Sequence, residues 1–216
     1  MTQTVDTGGV RATPRAKARV GDLARGPRLR FAIAVIALMC LLMSPLFVEN
    51  IDRAAPRPVG GQVDFTAHGP LTAPVLLAGE WRLVWLGGAP GPAPGTSQMV
   101  AAPGRWTDTG KGLPSQGAGS YRLTLTGLPA GRYTLHVPTI YSASRVSANG
   151  RVLSEHGVVG VSPETSRPTV RAHDVTIDAD GGPLELAVDI STFGQWDNGM
   201  EGPPLFGTAK TMERWI

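Results

Sequence analysis

The chain has 216 residues, 42% of them hydrophobic, enough for one sizeable domain with little left for a second. Its net charge of +3 is uneven, because residues 1–30 hold seven of the 20 basic side chains against two of the 17 acidic ones, leaving 13 basic against 15 acidic. A folded part with that balance lacks the basic surface nucleic acid requires, so nucleic acid is not expected as a partner.

Residues 1–30 combine Gly, Pro, Arg and Ala without apolar periodicity and read as a disordered basic tail. An uncharged run comes next, Phe31 to Val48, whose eighteen residues would rise about 27 Å as a helix, close to the thickness of a bilayer core. Arginines before it and Glu49 and Asp52 after it predict a single-pass anchor in the inner membrane, N-terminus cytoplasmic and the remainder extracytoplasmic. A cleaved secretory signal is the rival reading. The long basic leader, the length of the run and the want of an A-x-A site weigh against it, and both readings export the remainder of the chain. The single cysteine, Cys40, lies inside the run, so the exported part must hold together by packing without disulfides.

Residues 49–61, with Pro56 and Pro58, read as a stiff linker, 62–208 as the folded domain and 209–216 as a C-terminal tail that could begin a helix. Gly 28 and Pro 19 favour many short strands over long helices. Trp81, Leu83 and Trp85 share one face of a strand; Tyr121, Leu123 and Leu125, then Tyr133, Leu135 and Val137, repeat the period of two. Asn149-Gly150 between Val146, Ala148 and Val152, Leu153 is a hairpin signal, since a type I′ turn needs positive φ at both central residues. Val175 and Ile177, then Leu184, Leu186, Val188 and Ile190 across an Asp180-Gly181-Gly182 turn, continue the pattern, and Leu205–Thr208 closes it. Eight or nine strands so spaced predict an all-β, purely antiparallel, jelly-roll-like sandwich behind a single N-terminal transmembrane helix.

The succession G-E-W-R-L-V-W, P-G-R-W, G-S-Y-R-L-T-L and P-T-I-Y-S-A-S-R-V-S-A-N-G-R-V-L-S-E-H-G-V-V-G-V-S-P-E resembles the N-terminal extracytoplasmic domain of bacterial seven-transmembrane receptors with diverse intracellular signalling modules. The resemblance covers about residues 76–208. It implies a galactose-binding-like jelly roll, a ligand-sensing role and a seven-helix membrane unit with a cyclase or kinase behind it. This chain has no second apolar run of that length and no cyclase or kinase motif, so the resemblance implies a truncated or split member, or one that contacts a separate seven-helix membrane signalling subunit. Around Trp106, Tyr121, Asn149-Gly150 and His156-Gly157 the pattern is more distantly similar to the sugar-binding sandwich beside the barrel of family 2 glycosidases.

Catalysis is not expected. There is no G-x-S-x-G, no phosphate loop and no H-E-x-x-H, and the histidines (His68, His136, His156, His173) lack ligand spacing, so no cofactor or metal is expected either. Those histidines read as surface or turn residues. Binding of a carbohydrate or another small ligand fits better, because a sugar ring needs an aromatic platform flanked by hydrogen-bonding side chains. Trp106, Tyr141 and Trp196 are the loop-proximal aromatics; Asp108, Arg145, Gln195, Asp197 and Asn198 are the polar candidates. Trp106 and Tyr121 also read as core, and Asn149 as a turn residue. The segment Phe193 to Pro203 is the best single candidate, because Trp196 stands among Gln, Asp, Asn and Gly with no packing duty. A structural module that docks on another exported or membrane protein is the alternative, and predicts a broad exposed apolar patch.

Overall fold

The computed structural model describes residues 31–35, 51–194 and 198–213. The chain divides into two units, Met1–Val48 and Glu49–Ile216. In the first, residues 31–35 are helical, while the basic tail and the rest of the expected anchor lie outside the described residues. Among the described residues no helix is long and apolar enough to cross a membrane.

The second unit is a β-sandwich. Its strands are β1 (Gln62–Asp64), β2 (Val75–Leu76), β3 (Gly79–Gly87), β4 (Ser97–Ala102), β5 (Gly104–Arg105), β6 (Gly117–Thr126) and β7 (Gly131–Ile140), then β8 (Ala143–Ala148), β9 (Arg151–His156), β10 (Arg171–Ala179), β11 (Leu184–Thr192), β12 (Gly199–Met200) and β13 (Leu205–Thr208). One seven-stranded sheet runs β4-β3-β6-β11-β8-β9, with β1 added beside β6; a four-stranded sheet runs β10-β7-β13-β2, and β12 pairs with β5. A short helix, α1 (Ala209–Met212), ends the described chain.

Period-two alternation directs one side of each long strand inward. Across the seven-stranded sheet, Leu83, Tyr121, Val188 and Val146 lie in register and are all buried. The facing sheet contributes Leu135, Val175 and Phe206, in register on β7, β10 and β13. Tyr133 and Phe206 stack with centroids 5.1 Å apart. Each fully buried side chain of this kind contributes about 1.5–3 kcal/mol, which is how a cysteine-free domain stays folded.

Two expectations change. The pairing is not purely antiparallel: β1 runs parallel to β6, with Val63 opposite Leu125. No hairpin turn links these two strands, so nothing local dictates an antiparallel direction. Residues 51–61, read as a stiff linker, are tied into the sandwich by hydrogen bonds: Asp52 N donates to the Pro74 carbonyl, Glu80 N to Pro58, and Gly61 N to Glu80. The tail begins a helix, as the sequence suggested. Met212 is fully buried, and Thr208 caps α1 by accepting from Thr211 N. The polar, glycine-rich stretch Thr107–Gly119 holds most of a 3-10 turn (Trp106–Thr109) and the first residues of β6.

The hairpin at Asn149-Gly150 is as expected, with φ of 47° and 75°. Asn149 also ties this turn to β11: its Oδ1 accepts from Glu185 N at 2.7 Å and its own N–H donates to the Glu185 carbonyl at 2.8 Å. Asn149→Ala is therefore expected to cost about 1–2 kcal/mol, from left-handed strain and the lost hydrogen bond. Asn149→Gly should recover the strain part only. Denaturant midpoints of the three proteins measure both terms; equal midpoints would contradict the clamp.

Candidate functional site

The sequence-selected residues divide among three environments. Trp106 is fully buried and meets Trp85 edge-on, with centroids 5.2 Å apart, so its ring is core and offers no platform. Asn198, 3% exposed, is likewise structural: its carbonyl accepts from Trp106 N and its Oδ1 from Thr107 N at 3.2 Å. Beside it Gly199 (φ +100°) must be glycine, because a Cβ would stand 2.6 Å from the Gly104 carbonyl and 2.8 Å from the Tyr121 hydroxyl. That hydroxyl accepts from Met200 N, and burial pushes its phenol far above the ordinary range.

Asp108 is exposed in the 3-10 turn and Tyr141 is 46% exposed after β7. Ser142, next to Tyr141, accepts from Thr192 Oγ1 at 3.1 Å, which ties the end of β7 to the end of β11. Gln195, Trp196 and Asp197 lie outside the described residues. Arg145 is elsewhere, on the outer face of the seven-stranded sheet, where Nη2 meets Asp189 Oδ2 at 2.7 Å and Nη1 approaches Glu155 at 3.6 Å. The structure thus joins Trp106 to Asn198, while Arg145 pairs with Asp189 and Glu155.

A second site on the outer face of that sheet was not anticipated. Met99, Arg82, Arg122, Ala187 and Ser147 stand in one cross-strand row over β4, β3, β6, β11 and β8. One row further, Gln62, Thr124 and Glu185 are in register. Ala187 is the smallest member of its row, and Gly61 and Gly150 edge the neighbourhood, so an open hollow of about 230 Å³ forms between Arg82, Arg122, Thr124, Ser147 and Glu185. Arg82, Arg122 and Glu185 are exposed, Thr124 and Ser147 half-buried. Alternation places each of these residues outward, but only the strand order makes them neighbours.

No family model and no curated protein matches the chain. Solved structures do resemble it. A GH2 beta-galacturonidase from Eisenbergiella tayi bound to galacturonate is 16% identical, with a TM-score of 0.49, over 62% of this chain and 24% of that one. A beta-glucuronidase from Faecalibacterium prausnitzii is 15% identical (TM-score 0.45, 62% and 31%), and a beta-glycosidase from Bacteroides vulgatus 18% (0.44, 62% and 20%). The domain is a β-sandwich similar to about a quarter of a family 2 glycosidase. At these identities the likeness is one of fold, and the sugars in those names belong to those enzymes.

The histidines also differ from the surface reading. His173 shares the inward parity of Val175 on β10 and meets His156 of β9 with ring centroids 3.9 Å apart, at the side where the two sheets approach. Both ring nitrogens of His173 are buried without a hydrogen-bond partner, as is the hydroxyl of Ser144, the register neighbour of His156. His136 pairs with Asp174 at 2.7 Å and His68 with Asp52 at 3.0 Å. Among the described residues no group of three or more His, Cys, Asp or Glu is placed to hold a metal ion.

Proposed function

We propose that this chain is a non-catalytic, ligand-binding sandwich exported behind the apolar run 31–48, and that it recognises a small hydroxyl-rich ligand, a carbohydrate being the leading class, for a membrane signalling system. The observation that carries the reading is the hollow over Ala187, where charged and hydroxyl side chains converge on an otherwise flat sheet face backed by a packed core. Binding residues on a rigid sheet hold their geometry without ordering a loop, which lowers the entropic cost of association. The export half rests on the apolar run and the charge asymmetry around it. The signalling half rests on the sequence resemblance alone.

Docking through a sheet face draws less support. The outward side chains of the seven-stranded sheet include Arg82, Arg122 and Glu185, and those of the four-stranded sheet include Arg132, His136, Asp174 and Asp178, which leaves no broad apolar patch on these strands.

A glycan array probed with wild-type protein and with Ala187→Trp tests the reading. The indole would fill the hollow from an outward position and leave the core untouched. Retention of a defined subset of glycans by wild type, with at least a tenfold loss in the variant, is the expected result. Equal retention by both proteins would remove this face as the binding surface.

A further inference from the structure

Accepting that reading of the hollow, we infer that its ligand is anionic: a small polyol bearing a carboxylate or comparable oxoanion, clamped by Arg82 and Arg122 together. The two arginines are direct register partners on β3 and β6. Directly opposite residues on one face lie about 5 Å apart, and like charges at that spacing are destabilising. No counter-ion stands there among the described residues. Arg105, Arg132 and Arg145 each hold a carboxylate, at 3.5, 3.0 and 2.7 Å. Among the described residues no carboxylate reaches Arg82 or Arg122 within ion-pair distance, and the hydrogen bond of Arg122 is a long one, Nε to Ser120 Oγ at 3.4 Å.

The nearest same-face acid on β3, Glu80, forms no ion pair with Arg82; its Oε2 accepts from Gly60 N at 3.0 Å. Glu185 lines the far side of the hollow, one row away and diagonal to Arg122. The hollow therefore has a cationic end with two guanidinium groups and an end with one carboxylate and two hydroxyls, Thr124 and Ser147. A guanidinium presents a planar fork that matches an oxoanion through two parallel hydrogen bonds. Glu185 can only accept, so it would bind hydroxyls of the ligand and repel a second anion. This polarity fits a molecule with one anionic group and several hydroxyls, such as an acidic sugar, better than a neutral sugar or a polyanion. The small side chain of Ala187 lets such a ligand settle onto the backbone between the two ends.

Isothermal titration of the full chain with hexuronates, the matching neutral hexoses, hexose phosphates and inorganic phosphate decides it. Expected is binding of the acidic sugars at least tenfold tighter than of their neutral counterparts, weakening with salt. Arg82→Gln and Arg122→Gln should each lose at least tenfold, Arg122→Lys should recover only part, and Arg132→Gln on the other sheet should bind as wild type. The uronate and phosphate arms tell which oxoanion the ligand carries. Equal affinity for acidic and neutral sugars, or undiminished binding by the Arg82→Gln/Arg122→Gln protein, overturns the clamp and leaves the hollow in place if Ala187→Trp still abolishes binding. Inorganic phosphate binding as tightly as the acidic sugars overturns the polyol half. If no tested compound and no glycan on the array shows binding that Ala187→Trp abolishes, both the clamp and the broader reading fall.

Discussion

Replacing Trp106 by alanine is expected to cost about 3–5 kcal/mol, a large share of the roughly 5–15 kcal/mol that holds a domain of this size together. The side chain is fully buried, packs edge-on against Trp85, and sits where β5 passes into the 3-10 turn. Its backbone N–H donates to the Asn198 carbonyl at 3.3 Å, which ties the main chain here to the residue before β12. Removing the indole leaves a cavity that neighbouring tryptophans cannot collapse to fill. Trp106→Phe keeps most of the apolar volume and an edge-on partner for Trp85, so a smaller loss of about 1–2 kcal/mol is expected. Urea unfolding followed by circular dichroism measures both. A Trp106→Ala protein within about 1 kcal/mol of wild type would return this residue to the surface candidates.

Acid should destabilise the sandwich through His173. Burial of its ring is the main reason its pKa is pushed down to about 4, and the His156 imidazole adds to the effect. Asp174 and the backbone of Arg171 oppose it and His136 adds slightly; the Arg171 backbone lies near the ring without forming a hydrogen bond of good geometry. The unfolded chain takes up a proton near pH 6.5, whereas the folded state keeps His173 neutral down to about pH 4. Unfolded molecules therefore bind more protons within that window, and stability falls as pH drops through it, levelling off below. The ring is only half-buried, so solvent screening limits the loss to about 2 kcal/mol. His173→Leu removes two unpartnered nitrogens from the seam between β9 and β10 and should be at least as stable as wild type at pH 7. Its stability should fall by about 2 kcal/mol less than that of wild type between pH 6.5 and 4, which cancels the contribution of the carboxylates common to both. Parallel pH profiles of wild type and variant would refute the assignment.

Much of the architecture is set by local patterns. The inward faces of β3, β6, β7, β10 and β11 match the alternation of Trp81, Tyr121, Leu135, Val175 and Leu186, because the period of two is a property of each strand by itself. The Asn149-Gly150 turn was legible for the same reason, since positive φ is a local demand. The short strands β1, β2, β5 and β12 were not, because two or three residues cannot display a period and are strands only through their partners. Nor was the inward turn of His173: an imidazole between Ala172 and Asp174 near the start of a strand reads as surface, and only the approach of the β9 edge buries it.

The candidate site divides along the same line. Residue type drew attention to Trp106, also read as core, and to Asn198 and Arg145; the structure places them in the core, beside β12 and in an ion pair. Arg82 and Arg122 attracted none, being 40 positions apart and ordinary outward residues on separate strands. The amino-acid sequence by itself determined which side chains point inward, where the tight turn falls and that no disulfide can assist. Only the tertiary structure decided that two arginines stand side by side with no carboxylate partner among the described residues, because register between strands distant in sequence is set by the packing of the whole sheet and leaves no trace in either strand alone.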